Sequence, residues 1–162
     1  MRILQLIDSL DAGGAERMAV NYANAIFSTV KFSALCATRK EGQLKEMISS
    51  DVKYLFLEKK KKFDLKAILK LRSFVRENQI NIIHAHSTSF FMAVLLKMTL
   101  PAVKIVWHDH FGGRSATKKN KNITLKLCSL FFYRVLTINF QNKRWLESFL
   151  LNAKISYLPN FI

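Results

Sequence analysis

Short apolar runs alternate along the chain with longer stretches whose apolar residues recur every three or four positions. The short runs are residues 3–7, 32–37, 52–57, 81–86, 103–108, 135–138 and 155–158. Their length and their Ile, Val and Leu content are those of strands. Residues 13–27 place Ala15, Met18, Ala19, Tyr22, Ala23 and Ile26 at helical spacing. Residues 65–77 do the same with Leu65, Ile68, Leu71 and Val75, behind Asp64 as a cap. Further helices are predicted over 43–49, 89–100, 123–134 and 141–151, and Pro101 stops the second of these. Strands that are apolar throughout are covered on both faces, which is the mark of parallel strands joined by crossover helices. The pattern predicts a single doubly wound α/β domain with a mostly parallel sheet.

Composition supports a packed domain. Of 162 residues, half are hydrophobic and 23% are charged, which excludes a disordered chain. The two cysteines, Cys36 and Cys128, both lie in apolar runs and are expected as reduced core thiols of a cytoplasmic protein. The longest apolar stretch, residues 90–96, is far below the roughly 20 residues needed to span a bilayer. The net charge of +15 predicts an anionic partner.

In an open parallel sheet, ligands bind beyond the carboxyl ends of the strands near the switch point. After the first strand comes Gly13-Gly14-Ala15-Glu16. Two glycines that open a helix allow close backbone approach, and the helix N-terminus favours an anion. A plain turn requiring positive φ explains them equally well. Glu16 in the first turn is accounted for by the helix dipole alone. No G-x-G-x-x-G run is present and no acid follows the second strand, which disfavours a nicotinamide enzyme.

All four histidines lie at the next two strand ends, as His84-Ala85-His86-Ser87 and His108-Asp109-His110. Alternate residues of a strand share a face, so each pair is co-facial. Neighbouring strands bring the pairs together. With Asp109 they offer a metal site; without metal they suit proton handling and polar recognition beside a sugar or phosphate.

The cations form two blocks. Lys59, Lys60, Lys61 and Lys62 lead into Lys66, Lys70, Arg72 and Arg76, and Arg114, Lys118, Lys119, Lys121 and Lys126 surround the second glycine loop. A solvated face is the plain reading of either block. With Phe63, Phe131, Phe132 and Tyr133 nearby, they also suit anionic lipid head groups. No nucleic-acid recognition pattern is present, and nucleic acid is not expected as a partner.

Four segments, taken in order, resemble the N-terminal domain of GT-B glycosyltransferases of the family 4 kind. They are Gly13-Gly14-Ala15-Glu16-Arg17-Met18, Ile82-Ile83-His84-Ala85-His86-Ser87, His108-Asp109-His110-Phe111-Gly112 and Tyr157-Leu158-Pro159-Asn160-Phe161. The resemblance implies a Rossmann-like acceptor-side domain over residues 1–158, with 159–162 beginning the linker to a C-terminal donor-binding domain. It implies sugar transfer from a nucleotide-sugar donor to a membrane-associated glycan or polyprenyl-linked acceptor, with retained anomeric configuration and no metal or other cofactor. It places His110 near the reacting centre, with His108 as the second choice. It places Gly13, Gly14, Glu16, His86, Ser87 and Arg114 toward donor and acceptor. The membrane-facing set is then Lys59, Lys60, Lys61, Lys62, Lys118, Lys119 and Lys121. The expected partners are the acceptor, the nucleotide sugar, an anionic membrane surface and the absent C-terminal domain, in cis or in trans. The expected place is the cytoplasm, at the inner face of the plasma membrane. The family's paired glutamates and phosphate-binding basic pair belong to that absent domain, so the chain alone is expected not to transfer sugar. A non-catalytic basic module that binds a membrane or a partner is the alternative, and a metal hydrolase is a third.

Overall fold

The computed structural model describes residues 1–116, 122–151 and 154–160. Their elements are β1 (Arg2–Ser9), α1 (Gly14–Ile26), β2 (Phe32–Lys40), β3 (Lys53–Phe56), α2 (Leu65–Glu77), β4 (Ile82–His86), α3 (Phe90–Thr99), β5 (Lys104–Asp109), α4 (Ile123–Cys128), β6 (Phe132–Thr137), α5 (Phe140–Phe149) and β7 (Ile155–Tyr157). The strands form one sheet in the order β3-β2-β1-β4-β5-β6-β7, with every neighbouring pair parallel. The order reverses between β1 and β4, so the switch point opens at their carboxyl ends.

Alternation along the strands sorts the core into two layers. Leu4, Leu6, Ile83, Ala85, Ile105, Trp107 and Val135 point one way and pack with buried residues of α2 to α5, such as Leu71, Met92, Leu125 and Leu146. Ile7, Leu35 and Ala37 point the other way, against Ala19, Val20 and Ala23 of α1. The cover on this second face is uneven, in contrast to the expectation of helices over the whole of both faces. On β5 and β6 the residues on the α1 side, Val106 and Leu136, are half-buried, and Arg134 is exposed. The physical reason is handedness. Right-handed crossovers leading from β1 toward β3 put their connections on one face, and those leading from β3 through β7 put theirs on the other.

Two boundaries differ from the sequence expectation. The helix expected over 123–134 ends at Cys128, passes through a 3₁₀ turn at Ser129–Phe131 and becomes β6 at Phe132. The Ser129 hydroxyl donates to the Lys126 carbonyl at 2.7 Å and accepts from the Leu151 amide at 3.0 Å, which ends the helix. Phe132 is then buried in the sheet core, with its ring 5.5 Å from that of Trp107. The segment predicted as a helix over 43–49 is a 3₁₀ turn at Gln43–Met47.

Gly42 begins that turn. Its backbone is extended, with φ −140°, so its conformation suits any residue. Space is the constraint: a Cβ here would press into the Leu10 carbonyl and the Asp11 amide. The Leu44 amide donates to that same Leu10 carbonyl at 3.1 Å, which ties the turn to the end of β1. Gly42→Ala is therefore expected to cost about 1–3 kcal/mol through displaced backbone. Gly14→Ala, whose Cβ meets nothing within 4 Å, is expected to stay within about 0.5 kcal/mol of wild type. Urea midpoints of the two variants check both values.

Candidate active site

The loops after β1, β4 and β5 enclose a cavity of about 540 Å³ whose walls include Gly14, Ser87, Thr88, His110, Phe111 and Arg114. These are the three strand ends singled out by the switch-point rule.

The histidines sit together on the α1 side of the sheet. Gln5 is in register with His84, and His86 with His108, so all four point to the same face. His110, one step beyond β5, stacks on His108 with ring centroids 4.0 Å apart. Tyr22 of α1 lies over the group, edge-on to His84 at 5.1 Å. Gln5 Oε1 lies 2.8 Å from His86 Nε2, and His86 Nδ1 lies 2.9 Å from His110 Nε2. With the glutamine oxygen accepting, His86 carries its proton on Nε2, so His110 donates from its own Nε2 to His86. His86 and His108 are fully buried, and His84 nearly so. His110 is half-buried and reaches the cavity.

Burial makes these imidazoles neutral. It lowers His84 to about 3, helped by the neighbouring His110. It lowers His108 to about 2, helped by His110 and His84. It holds His86 well below the usual histidine range, with the other three rings acting in the same direction. His110 falls to about 4 by burial, while the Asn160 side chain works the other way. Among the described residues, His84 Nε2, both ring nitrogens of His108 and His110 Nδ1 are buried without a hydrogen-bond partner.

Ring nitrogens of His84, His86 and His108 all lie within 4.8 Å of one another. Three neutral imidazoles are a suitable donor set for a transition-metal ion. Both nitrogens of His86 are already engaged, however, so such an ion requires His86 to release Gln5 or His110.

The glycine turn works through space and not through positive φ: among the described residues no glycine has positive φ. Gly13 is extended at φ −163° and caps α1 without a side chain. The Glu16 carboxylate folds back over it and occupies the place a Gly13 side chain would take. The anion expected at this helix terminus is thus partly supplied from within. Gly14 opens directly onto the cavity.

The wall after β4 is held tightly. Ser87 adopts φ 50°, unusual for a residue with a side chain. Its carbonyl accepts from Trp107 Nε1 at 2.8 Å. The Ser89 hydroxyl is shared between the Leu6 and His86 carbonyls, at 2.7 and 2.8 Å. Thr88 donates to Asp8 at 2.6 Å, tying this turn to the end of β1. On the far wall, Arg114 grips Asp109 with two bonds, Nε to Oδ2 at 2.5 Å and Nη2 to Oδ1 at 2.7 Å. Burial raises the Asp109 carboxyl, and Arg114 opposes that shift.

Lys60, Lys61 and Lys62 are exposed. Lys59, expected with them on a membrane face, is instead only 8% exposed and lines a second cavity. Lys118, Lys119 and Lys121 lie outside the described residues. Sequence reasoning missed Gln5, Tyr22, Asp8 and Thr88. Gln5 carried a signal, as the one polar side chain inside the apolar run of β1.

Two outcomes follow from this electrostatic arrangement. A histidine whose folded pKa lies below its unfolded value of about 6.5 stabilises the fold fully above that pH, because the unfolded chain binds more protons below it. Stability is expected to fall as pH drops from about 6.5 toward 3, by up to about 1.4 kcal/mol per pH unit for each buried histidine. His84→Gln should flatten that slope in urea melts between pH 7 and 5. Arg114→Met leaves the fully buried Asp109 carboxylate without its partner and is expected to cost about 3–5 kcal/mol. Adding Asp109→Asn should recover part of the loss, as a double-mutant cycle measures.

Comparison with known proteins bears on the fold and the family. A search of curated proteins finds no match. The fold is similar to that of a lipopolysaccharide outer core galactosyltransferase WaaB in its apo form, with TM-score 0.70 and 15% identity. It is also similar to MurG of Acinetobacter baumannii, with TM-score 0.65 and 10% identity. In both cases all of this chain is covered, and it spans 46% of the length of the other. Residues 12–162 match the family model described as Glycosyltransferase Family 4, and with that match over most of its length the chain belongs to that glycosyltransferase family.

Proposed function

We propose that the 540 Å³ cavity is the acceptor-side wall of a glycosyl-transfer site. The observation that carries this is the placement of His110: a neutral imidazole, fixed from behind by His86, faces a cavity bounded by the open start of α1 and by Arg114. The reaction joins an acceptor hydroxyl oxygen to the anomeric carbon of a nucleotide-linked sugar as the bond to the diphosphate breaks. The hydroxyl proton must leave, and the nucleotide diphosphate departs as an anion. With Nε2 donating to His86, Nδ1 is the atom left to accept the proton or a hydrogen bond from the sugar. It is covered in this structure, with the Asn160 side chain beside the ring, so this role requires that cover to move aside. His108, fully buried behind it, supports the ring and does not touch substrate. Gly14 leaves room for the donor at the helix terminus, Ser87 lines the acceptor side, and Arg114 faces the anionic leaving group.

In this reading the donor is a nucleotide sugar held mainly by a second α/β domain, in cis or in trans, and this chain forms residues 1–158 of the acceptor half. Transfer retains anomeric configuration and uses no metal. The acceptor is a glycan or lipid-linked sugar at an anionic membrane. Exposed Lys60, Lys61 and Lys62 beside exposed Phe63, Leu65 and Leu69 support that location. No helix among the described residues is long and apolar enough to cross a membrane. A non-catalytic basic binding module is the competing reading, and the tight preparation of His110 argues against it.

The test is a transfer assay over a panel of nucleotide sugars, with the chain alone and with the second domain supplied. Turnover is expected only with both. His110→Ala should then lower kcat by about 10²–10⁴-fold. Turnover by the chain alone removes the claim of an incomplete enzyme. An unchanged kcat in His110→Ala removes the assignment of that residue.

A further inference from the structure

A second cavity, of about 410 Å³, adjoins the first and shares Thr88, Phe90 and Thr124 with it. Among the described residues its cations are Arg39, Lys59 and Lys62, and its carboxylate is Asp8. Nothing assigned to the transfer site above uses this space.

Lys59 is the unusual member. It is only 8% exposed, yet its ammonium makes no hydrogen bond or ion pair with any described residue. The backbone drives it inward. Glu58 takes φ 55°, and the Lys59 amide donates to the Thr38 carbonyl at 2.7 Å. These turn Lys59 away from the exposed run of Lys60 to Lys62. The stem is covered while the ammonium opens onto the cavity, where it is less hydrated than on an open surface. Burial accordingly lowers the Lys59 ammonium below the usual lysine range, while Asp8 pulls it back and Arg39 lowers it further.

Asp8 offsets only part of this charge. Its oxygens also accept the hydroxyls of Thr38, at 2.5 Å, and Thr88, at 2.6 Å, which fix the carboxylate in place. Among the described lining residues three cations thus face one carboxylate. A group with several anionic oxygens would satisfy Lys59 from the solvent side and draw on Arg39 and Lys62. The remaining wall is aromatic. Phe91 stacks edge-to-face with Phe63 at 5.2 Å, and Phe63 is 65% exposed. Leu65 and Leu69 continue this apolar surface along α2 and are also exposed.

We propose that the cavity around Arg39, Lys59 and Lys62 is a phosphate site that takes the phosphate or diphosphate of the acceptor molecule. Its role as an acceptor subsite rests on the reading of the adjoining cavity as the transfer site. An acceptor anchored here places its sugar in the shared passage at Thr88, on the way to His110. Its other end leaves over Phe63, Leu65 and Leu69, a path suited to a lipid tail.

The experiment titrates the purified chain with inorganic pyrophosphate by calorimetry. A parallel arm measures flotation with phosphatidylcholine vesicles that contain or lack phosphatidic acid. Lys59→Met and Arg39→Gln are each expected to weaken pyrophosphate binding at least about tenfold, a loss of about 1.4 kcal/mol. Lys66→Gln, an exposed residue outside the cavity, should leave it unchanged. Arg39 is exposed, so its variant keeps the test valid should Lys59→Met fail to fold. No pyrophosphate binding, or equal binding in wild type and Arg39→Gln, overturns the phosphate site. Flotation that depends on phosphatidic acid and is lost in Arg39→Gln assigns the anion to a lipid head group. Flotation unaffected by that variant, with pyrophosphate binding weakened, assigns it to a soluble phosphate. His110→Ala should leave pyrophosphate binding intact. Binding that survives while no nucleotide sugar supports transfer overturns the transferase reading and leaves the phosphate site standing.

Discussion

Four imidazoles share one face of a parallel sheet, and three of them are withdrawn from water under α1. Each protonated ring would be a buried charge beside others of the same sign, and the pKa of every one is driven down accordingly. The face of β4 and β5 nearest the switch point is therefore a polar layer that has to remain uncharged. This requirement ties the site to the fold. Register between β1, β4 and β5 sets Gln5, His84, His86 and His108 side by side. Tyr22 closes the layer from α1. Only His110, beyond the end of β5, escapes far enough to meet a ligand.

The hydrogen-bonded line from Gln5 through His86 to His110 extends that constraint into the cavity. Because His86 has both nitrogens engaged, its orientation is fixed, and so is the edge that His110 presents. A ring that titrates below neutrality and is locked from behind offers one protonation state over the physiological range. On the opposite wall the fork between Arg114 and Asp109 does the equivalent for a cation. The cavity is thus lined by groups whose charge and orientation are set before any ligand arrives, which is the condition for electrostatic stabilisation of a reacting centre.

Much of this was visible in the residue pattern, and the exceptions have physical causes. Alternation along two strands was enough to pair His84 with His86 and His108 with His110, because period two is a property of the backbone. The switch-point rule then placed both pairs beside the glycine turn. Gln5 escaped notice because a single polar residue in an apolar run has no periodicity. Of the two readings left open for the glycine turn, positive φ does not apply: Gly13 is extended and makes room for the Glu16 carboxylate, a contact between side chain and backbone that composition does not reveal. Gly42 was overlooked for a similar reason, since the backbone it nearly touches lies some thirty residues earlier at the end of β1. The helix over 123–134 was overextended because Phe131, Phe132 and Tyr133 are apolar at any period. Burial against Trp107, not local propensity, decides that Phe132 starts a strand.

Lys59 shows how a net charge of +15 is divided between two kinds of work. Four consecutive lysines look alike in sequence, and three of them are exposed, where salt screens them and their effect is a diffuse attraction to anionic surfaces. The fourth is turned inward by a single residue of left-handed backbone at Glu58. At that point a cation ceases to be part of a field and becomes half of a specific contact, because the low-dielectric wall strengthens whatever pairs with it. Arg114 reaches a similar state by another route. Its planar fork matches the buried Asp109 carboxylate and is held by it. Lys59, a compact point charge with no such partner among the described residues, keeps its pairing capacity for something from outside. These two cations therefore divide the groove: half-buried Arg114 is a wall already paired within the fold, and Lys59 is the position where the proposed site calls for an anion from outside.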